Sequence, residues 1–115
     1  MTDCLFCKIV NKEIPKEFLH EDDRTLAFYD IHPKAPTHIL VIPREHIESI
    51  GHLTEEQSDI LAAIFFAAKK IARERGLKGY KLVFNVGREG GQVIDHLHLH
   101  VLGGWPADSD RKINV

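Results

Sequence analysis

The chain has little of several things that would settle its class quickly. It carries two cysteines, one methionine and one tryptophan in 115 residues. Two cysteines three apart, Cys4 and Cys7, cannot build the multi-bridge framework of a small secreted domain. No apolar run approaches the roughly 20 residues of a membrane span, so no membrane role is expected. The opening "MTDCLFCKIV" has no basic region leading into an apolar stretch and a small-residue cleavage site, so it does not read as a secretory signal, and a cytoplasmic protein is the expectation. Charge of neither sign dominates: the formal balance is −2. A general nucleic-acid binder would show a basic face, so no nucleic-acid partner is expected, while a small anionic ligand held by local donors stays open. Internal repeats, low-complexity tracts and linkers are also lacking.

What is present suits one compact domain over 1–115. Apolar residues make up 43% of it, enough for a single core. Leu5 to Asn11 reads as a short turn or helix ended by "KEIP". "FLHEDD" and "TLAFYDI" read as strands joined at Asp22-Asp23-Arg24. "HPKAPT" is a loop, because Pro33 and Pro36 restrict themselves and their predecessors. "HILVIP" then reads as a central strand.

The clearest element is a helix from about Glu55 to Arg75. Thr54 with Gln57 makes a capping-box start. Ile60, Leu61, Ile64, Phe65, Ala68, Ile71 and Ala72 recur as one apolar stripe, and Gly76 ends it. "YKLVFNV" and "HLHLHVL" follow as strands, joined by "GREGGQVID". One long helix against mostly sequential strands predicts an α+β domain with an antiparallel sheet of about five strands.

"HLHLHVL" is the chemically loaded stretch. Three of the chain's eight histidines, His96, His98 and His100, fall at alternate positions. Strand alternation puts them on one face roughly 6.5–7 Å apart, with Leu97, Leu99 and Val101 opposite. Such a face is hydrated decoration, a metal site, or an imidazole nucleophile with neighbours that orient it and manage protons. The trio alone does not choose. The glycines of "GREGGQ" allow backbone N–H groups near a phosphate, or simply a turn. Cys4 and Cys7 have the spacing of half a zinc site; a redox pair would be expected after a strand and at a helix start. Two more ligands would be needed, with His20, His32, His46, His52 and His96 as candidates; buried thiols are the plain alternative.

"HLHLHVL" matches the His-φ-His-φ-His-φ-φ signature (φ apolar) of the histidine triad superfamily. "KIVNKEIPKEFLHEDDRTLAFYDIHPKAPTHILVIPREHI" and "GYKLVFNVGREGGQVIDHLHLHVLGGW" also resemble its nucleotide-binding proteins, and together these stretches cover most of residues 4–105. The resemblance implies hydrolysis of nucleoside 5′-phosphoramidates, adenosine preferred, or of related nucleotides through a covalent nucleotidyl-histidine. It puts the nucleophile at His98, phosphate contact at His100, and a hydrogen-bonding or proton-managing role at His38. Asn85, Gly91, Gln92 and Val93 fall at phosphate-binding positions, although relatives carry serine where this chain has Val93. Asp30 matches the ribose-binding aspartate and Ile31 the residue beside the base; Phe6, Ile9 and Ile14 match the apolar wall around the purine. The zinc-containing bacterial branch implies one structural zinc held by Cys4 and Cys7 of an N-terminal zinc-binding segment, residues 1–15, together with His46 and His96, closed to substrate. The implied ligand is AMP-like and the implied assembly a homodimer, with Ala62, Ala63 and Ala67 permitting close helix approach. Trp105 and the tail over 106–115 follow no readable pattern. The rivals are a nucleotide-binding regulatory module with incidental turnover, a dinucleoside polyphosphate hydrolase, and a metal-dependent hydrolase using the trio as ligands.

Overall fold

The structure, a computed structural model, describes residues 3–108; the tail expected over 106–115 lies outside the described residues beyond Asp108. Five strands form one antiparallel sheet: β1 (His20–Glu21), β2 (Thr25–Tyr29), β3 (Thr37–Pro43), β4 (Tyr80–Val83) and β5 (Leu99–Gly103). Their spatial order is β1-β2-β3-β5-β4, so the connection from β3 to β4 crosses the sheet. That connection contains the long helix α2 (Ser58–Glu74); the short helix α1 (Leu5–Val10) precedes the sheet. The predicted α+β architecture is the observed one.

The two faces of the sheet are covered differently. Ala27, Ile39, Val41, Leu99 and Val101 join Ile64, Ala67, Ala68 and Ile71 of α2 in one buried cluster. Leu26, Phe28, Leu40 and Ile42 point the other way and meet Phe6 and Ile9 of α1. This is period-2 alternation in β2 and β3, with both sides buried.

The ends of α2 follow local chemistry. The Thr54 N–H donates to Gln57 Oε1 at 2.9 Å, the reciprocal half of a capping box. The bond tightens Glu55–Gln57 into a 3₁₀ turn, so the α-helix proper starts at Ser58 and not at Glu55. At the far end Gly76 takes φ +72°; its N–H donates to Arg73 and that of Leu77 to Ala72, the two bonds of a Schellman stop. The apolar stripe is also shifted. Ala67 is buried, whereas Phe65 sits at the rim against Phe84, ring centroids 5.8 Å apart.

Four predicted strands are shorter than expected, "TLAFYDI" among them, which ends at Tyr29. "FLHEDD" contributes only His20–Glu21, because the Asp22 carboxylate gathers the N–H groups of Arg24 and Thr25 and the Thr25 hydroxyl into a turn. "YKLVFNV" pairs only over Tyr80–Val83. In "HLHLHVL" the ladder begins at Leu99, since Leu97 N–H goes to the Ile47 carbonyl instead. His96 and His98 therefore precede the regular strand, yet Leu97 still falls in the cluster under α2.

Candidate active site and metal centre

The histidine face is not wet. His38, His96 and His98 are all buried, so the hydrated-decoration reading fails. The trio is also not one ligand set. His96 belongs with Cys4, Cys7 and His46, while His100 belongs with His38 and Asp30.

Fixed donors determine the protonation pattern of His38, His98 and His100. The backbone N–H of Lys34 donates to His38 Nδ1 at 2.9 Å, so that nitrogen bears no proton and Nε2 carries it. His38 Nε2 lies 2.9 Å from His100 Nδ1, so His38 donates and His100 accepts. The proton of neutral His100 then sits on Nε2, a buried atom with no hydrogen-bond partner among the described residues. His98 Nδ1 lies 2.6 Å from the His96 carbonyl; it must donate, which leaves a bare lone pair on His98 Nε2. A lone pair on one ring and an unanswered N–H on the next, with centroids 5.0 Å apart, suit an electrophile that carries anionic oxygen.

Electrostatics keep these rings neutral. Burial lowers the pKa of His38, with Lys34 and His98 adding to it against the pull of Asp30. Burial likewise lowers His98, against its bond to the His96 carbonyl and the Asp30 charge. His100 is pushed down to about 4 by burial and by His98 and His38. Asp30 lies at the mouth: Oδ1 accepts the His32 N–H at 2.8 Å and Oδ2 is 3.5 Å from His38 Nε2. Ile31, beside it, is 73% exposed.

The other predicted contacts divide. Phe6 is buried and meets the His98 ring edge-to-face at 5.2 Å; Ile9 is buried and Ile14 partly so, in the same cluster. Gln92 is also buried, and its side chain is spent within the loop: Oε1 accepts from Gly87 N–H, and Nε2 donates to the Glu48 and Ile94 carbonyls. The N–H groups of Gly91 and Gln92 bond back to Arg88 and Gly87, so they brace the loop. Gly91, at φ +90°, packs against Asn85: a Cβ there would be 3.9 Å from its carboxamide carbon. Val93 is 76% exposed. Arg88, which sequence reasoning missed, clamps the loop with two bonds to Asp95 at 2.8 and 3.0 Å; a cation seven residues before a carboxylate across a glycine turn is the signal it offered.

The metal hypothesis meets a geometric test. Cys7 Sγ lies 3.2 Å from His46 Nδ1 and 3.5 Å from His96 Nδ1. Cys4 Sγ is 3.4 Å from His96 Nδ1, and the two Nδ1 atoms are 3.3 Å apart. A tetrahedral zinc with ordinary bond lengths has S–N and N–N edges of about 3.3–3.6 Å, so the four donors fit. His96 Nε2 lies 2.8 Å from the Pro43 carbonyl; donating there frees Nδ1 as a ligand, the usual outer-shell arrangement of a metal-bound histidine. Asp30, His38 and His100 also converge, but their 2.9 Å Nε2···Nδ1 contact is that of a shared proton.

A sequence profile described as "Scavenger mRNA decapping enzyme C-term binding" matches residues 3–112. The chain is 45% identical to an uncharacterized HIT-like protein of Synechococcus elongatus, over 90% of this chain and 96% of that one. It is 42% identical to the purine nucleoside phosphoramidase of Escherichia coli, over 90% and 89% of the two chains. Among solved structures, a HIT family hydrolase from Legionella pneumophila superposes with a TM-score of 0.88 at 48% identity, covering 96% of this chain and 100% of that one.

Proposed function

The chain belongs to the histidine triad superfamily and is one of its hydrolases, and from that premise we propose that it cleaves nucleoside 5′-phosphoramidates or related nucleotides at the α-phosphorus. One observation carries the reading: His98 Nδ1 is committed to the His96 carbonyl, so Nε2 offers its lone pair without a separate base. His98 Nε2 attacks phosphorus, the leaving group departs, and water releases the nucleoside monophosphate. The His100 Nε2–H binds a phosphate oxygen as charge builds there. Phe6, Ile9 and Ile14 support a wall for the purine of an AMP-like ligand, and Asp30 takes the ribose hydroxyls.

Cys4, Cys7, His46 and His96 hold one structural zinc in this reading. The ion supplies a crosslink between α1 and the residues entering β5, and no chemistry on the substrate. Elemental analysis of protein purified without chelator should give close to one zinc per chain; well under one sinks the assignment. A homodimer through α2 and the open edge of β4 completes the reading, supported by Phe66 at 68% exposure and by exposed Tyr80 and Leu82. Light scattering at micromolar concentration tests it, and a monomer mass counts against it.

The decisive experiment is rapid quench with adenosine 5′-phosphoramidate followed by intact-mass measurement. A nucleotidyl adduct is expected in the parent and none in His98→Ala, which should still bind nucleotide. Turnover that survives that substitution refutes the mechanism.

A further inference from the structure

Cys4 and Cys7 are the only cysteines in the chain, and the fold treats them unequally. Cys4 caps α1 and is partly exposed, whereas Cys7, one turn later, is 8% exposed. The Cys7 N–H donates to Cys4 Sγ at 3.3 Å, which holds the Cys4 sulfur over the turn that carries Cys7. Placement at a helix start is what a redox pair asks for, and neither sulfur is in a disulfide.

The four-ligand centre is sealed on one side and open on the other. His96 is fully buried, but His46 is exposed. Cys4 and His46 line a cleft of about 410 Å³ that Val93, Ile94 and Asp95 also border, and Cys7 does not line it. A small solute therefore reaches the Cys4 sulfur ahead of that of Cys7.

We propose that Cys4 and Cys7 form a peroxide-reactive pair, with Cys4 attacking the oxidant and Cys7 resolving the product, so that oxidation opens the metal centre and loosens the purine wall. The inference rests on the zinc reading above and gives that centre a second property.

Redox-active cysteines are accessible and stand next to a resolving thiol, and burial divides those two roles here. The Cys4 sulfur attacks hydrogen peroxide: an S–O bond forms, the O–O bond breaks and hydroxide leaves. The Cys7 sulfur then attacks the Cys4 sulfenic acid: an S–S bond forms, the S–O bond breaks and a second hydroxide leaves. Peroxide is reduced and the two thiolates are oxidised. Both sulfurs then lack the charge that a metal ligand needs, and His46 and His96 alone cannot complete a tetrahedral site.

Phe6 carries the change to the substrate side. It lies between the two cysteines and meets His98 at 5.2 Å, His96 at 6.0 Å and Phe28 at 5.6 Å between ring centroids. Without the crosslink to His46 and His96, the six residues of α1 are too few to hold that ring in place. Oxidation should thus weaken nucleotide binding, and reduction in the presence of zinc should restore it.

The test treats zinc-loaded protein, purified without chelator and freed of reductant, with hydrogen peroxide. Zinc release is followed with a chromogenic chelator and disulfide formation by intact mass. Release close to one zinc per chain is expected, in step with the loss of two hydrogens, and reversed by dithiothreitol plus zinc. AMP affinity should fall and recover over the same cycle. Oxidation of Met1, the one methionine, adds an oxygen and is told apart by mass. In Cys7→Ser a cyclic diketone should label the sulfenic acid on Cys4, and Cys4→Ser should give no label. Zinc retained under excess peroxide, release without a disulfide, a disulfide between chains, label only on Cys7, or AMP affinity unchanged after release overturns the inference and spares the zinc reading. Protein that holds no zinc at the outset refutes both.

Discussion

The two faces of the sheet solve burial in opposite ways. Under α2 the sheet presents a hydrophobic cluster, which is held mainly by shape and dispersion. Under α1 the sheet presents Leu26, Phe28, Leu40 and Ile42 alongside buried His38 and His98, and each ring must find a stated partner. The covering helices differ to match. α2 runs 17 residues and α1 only 6, too short to be stable on its own. In the proposed zinc reading, a donor set joining Cys4 and Cys7 to His46 and His96 would do for α1 what length does for α2. One face is held by area, the other by specific bonds.

The sharpest separation of the faces comes from His98→Ala. Turnover should fall by at least about 10⁴-fold, as for other removed nucleophiles, while the melting temperature barely moves; residual activity above about one percent of the parent would break the contrast. Next is Ile64→Ala on the opposite face, expected to cost roughly 2–5 kcal/mol in denaturant titration with metal content and KM unchanged. A raised KM there would mean the faces are coupled.

Removing metal with a chelator, or making Cys7→Ser, should act on the α1 face alone. Nucleotide affinity should drop, and hydrogen exchange should show α1 losing protection while α2 keeps it. Equal loss in both helices would refute a local clip. The smallest effect is with pH. His100 is held at about 4 against an ordinary 6.5, so between those values the unfolded chain binds a proton that the folded chain refuses. Stability should thus be full above pH 7 and decline as pH falls from 6.5 towards 4. The slope should be shallower in His100→Ala; an unchanged slope places the acid sensitivity elsewhere.

The legible parts of the sequence were those encoded by neighbours. Gly76 announces the end of α2, Thr54 and Gln57 announce the 3₁₀ turn that leads into it, and alternation announces which side Leu97 to Val101 face. What distant groups decide was hidden. Leu97 leaves the ladder because the Ile47 carbonyl claims its N–H, and Gln92 turns inward because Glu48 offers a carbonyl 2.6 Å away. Phe65 and Ala67 exchange places because Phe84 gives the larger ring a seat at the rim. The candidate site was partly readable, since the motif puts three histidines on one face and the structure groups His96 with the cysteines and His100 with His38 and Asp30. Their tautomers were not, because those follow from Lys34, His96 and Pro43 backbone atoms that any residue type except proline at position 34 would supply.

That last point bears on how such a site changes over generations. His98 Nδ1 leans on a carbonyl of His96 and the His38–His100 pair is anchored at an N–H of Lys34. Codons specify side chains, so the anchors are largely out of mutation's reach. Point substitution can delete a histidine or reroute the chain, but it has few ways to invert the proton pattern while keeping both. In the proposed reaction, drift at the pocket walls and the exposed loop would therefore alter which nucleotide is accepted long before it altered which nitrogen attacks.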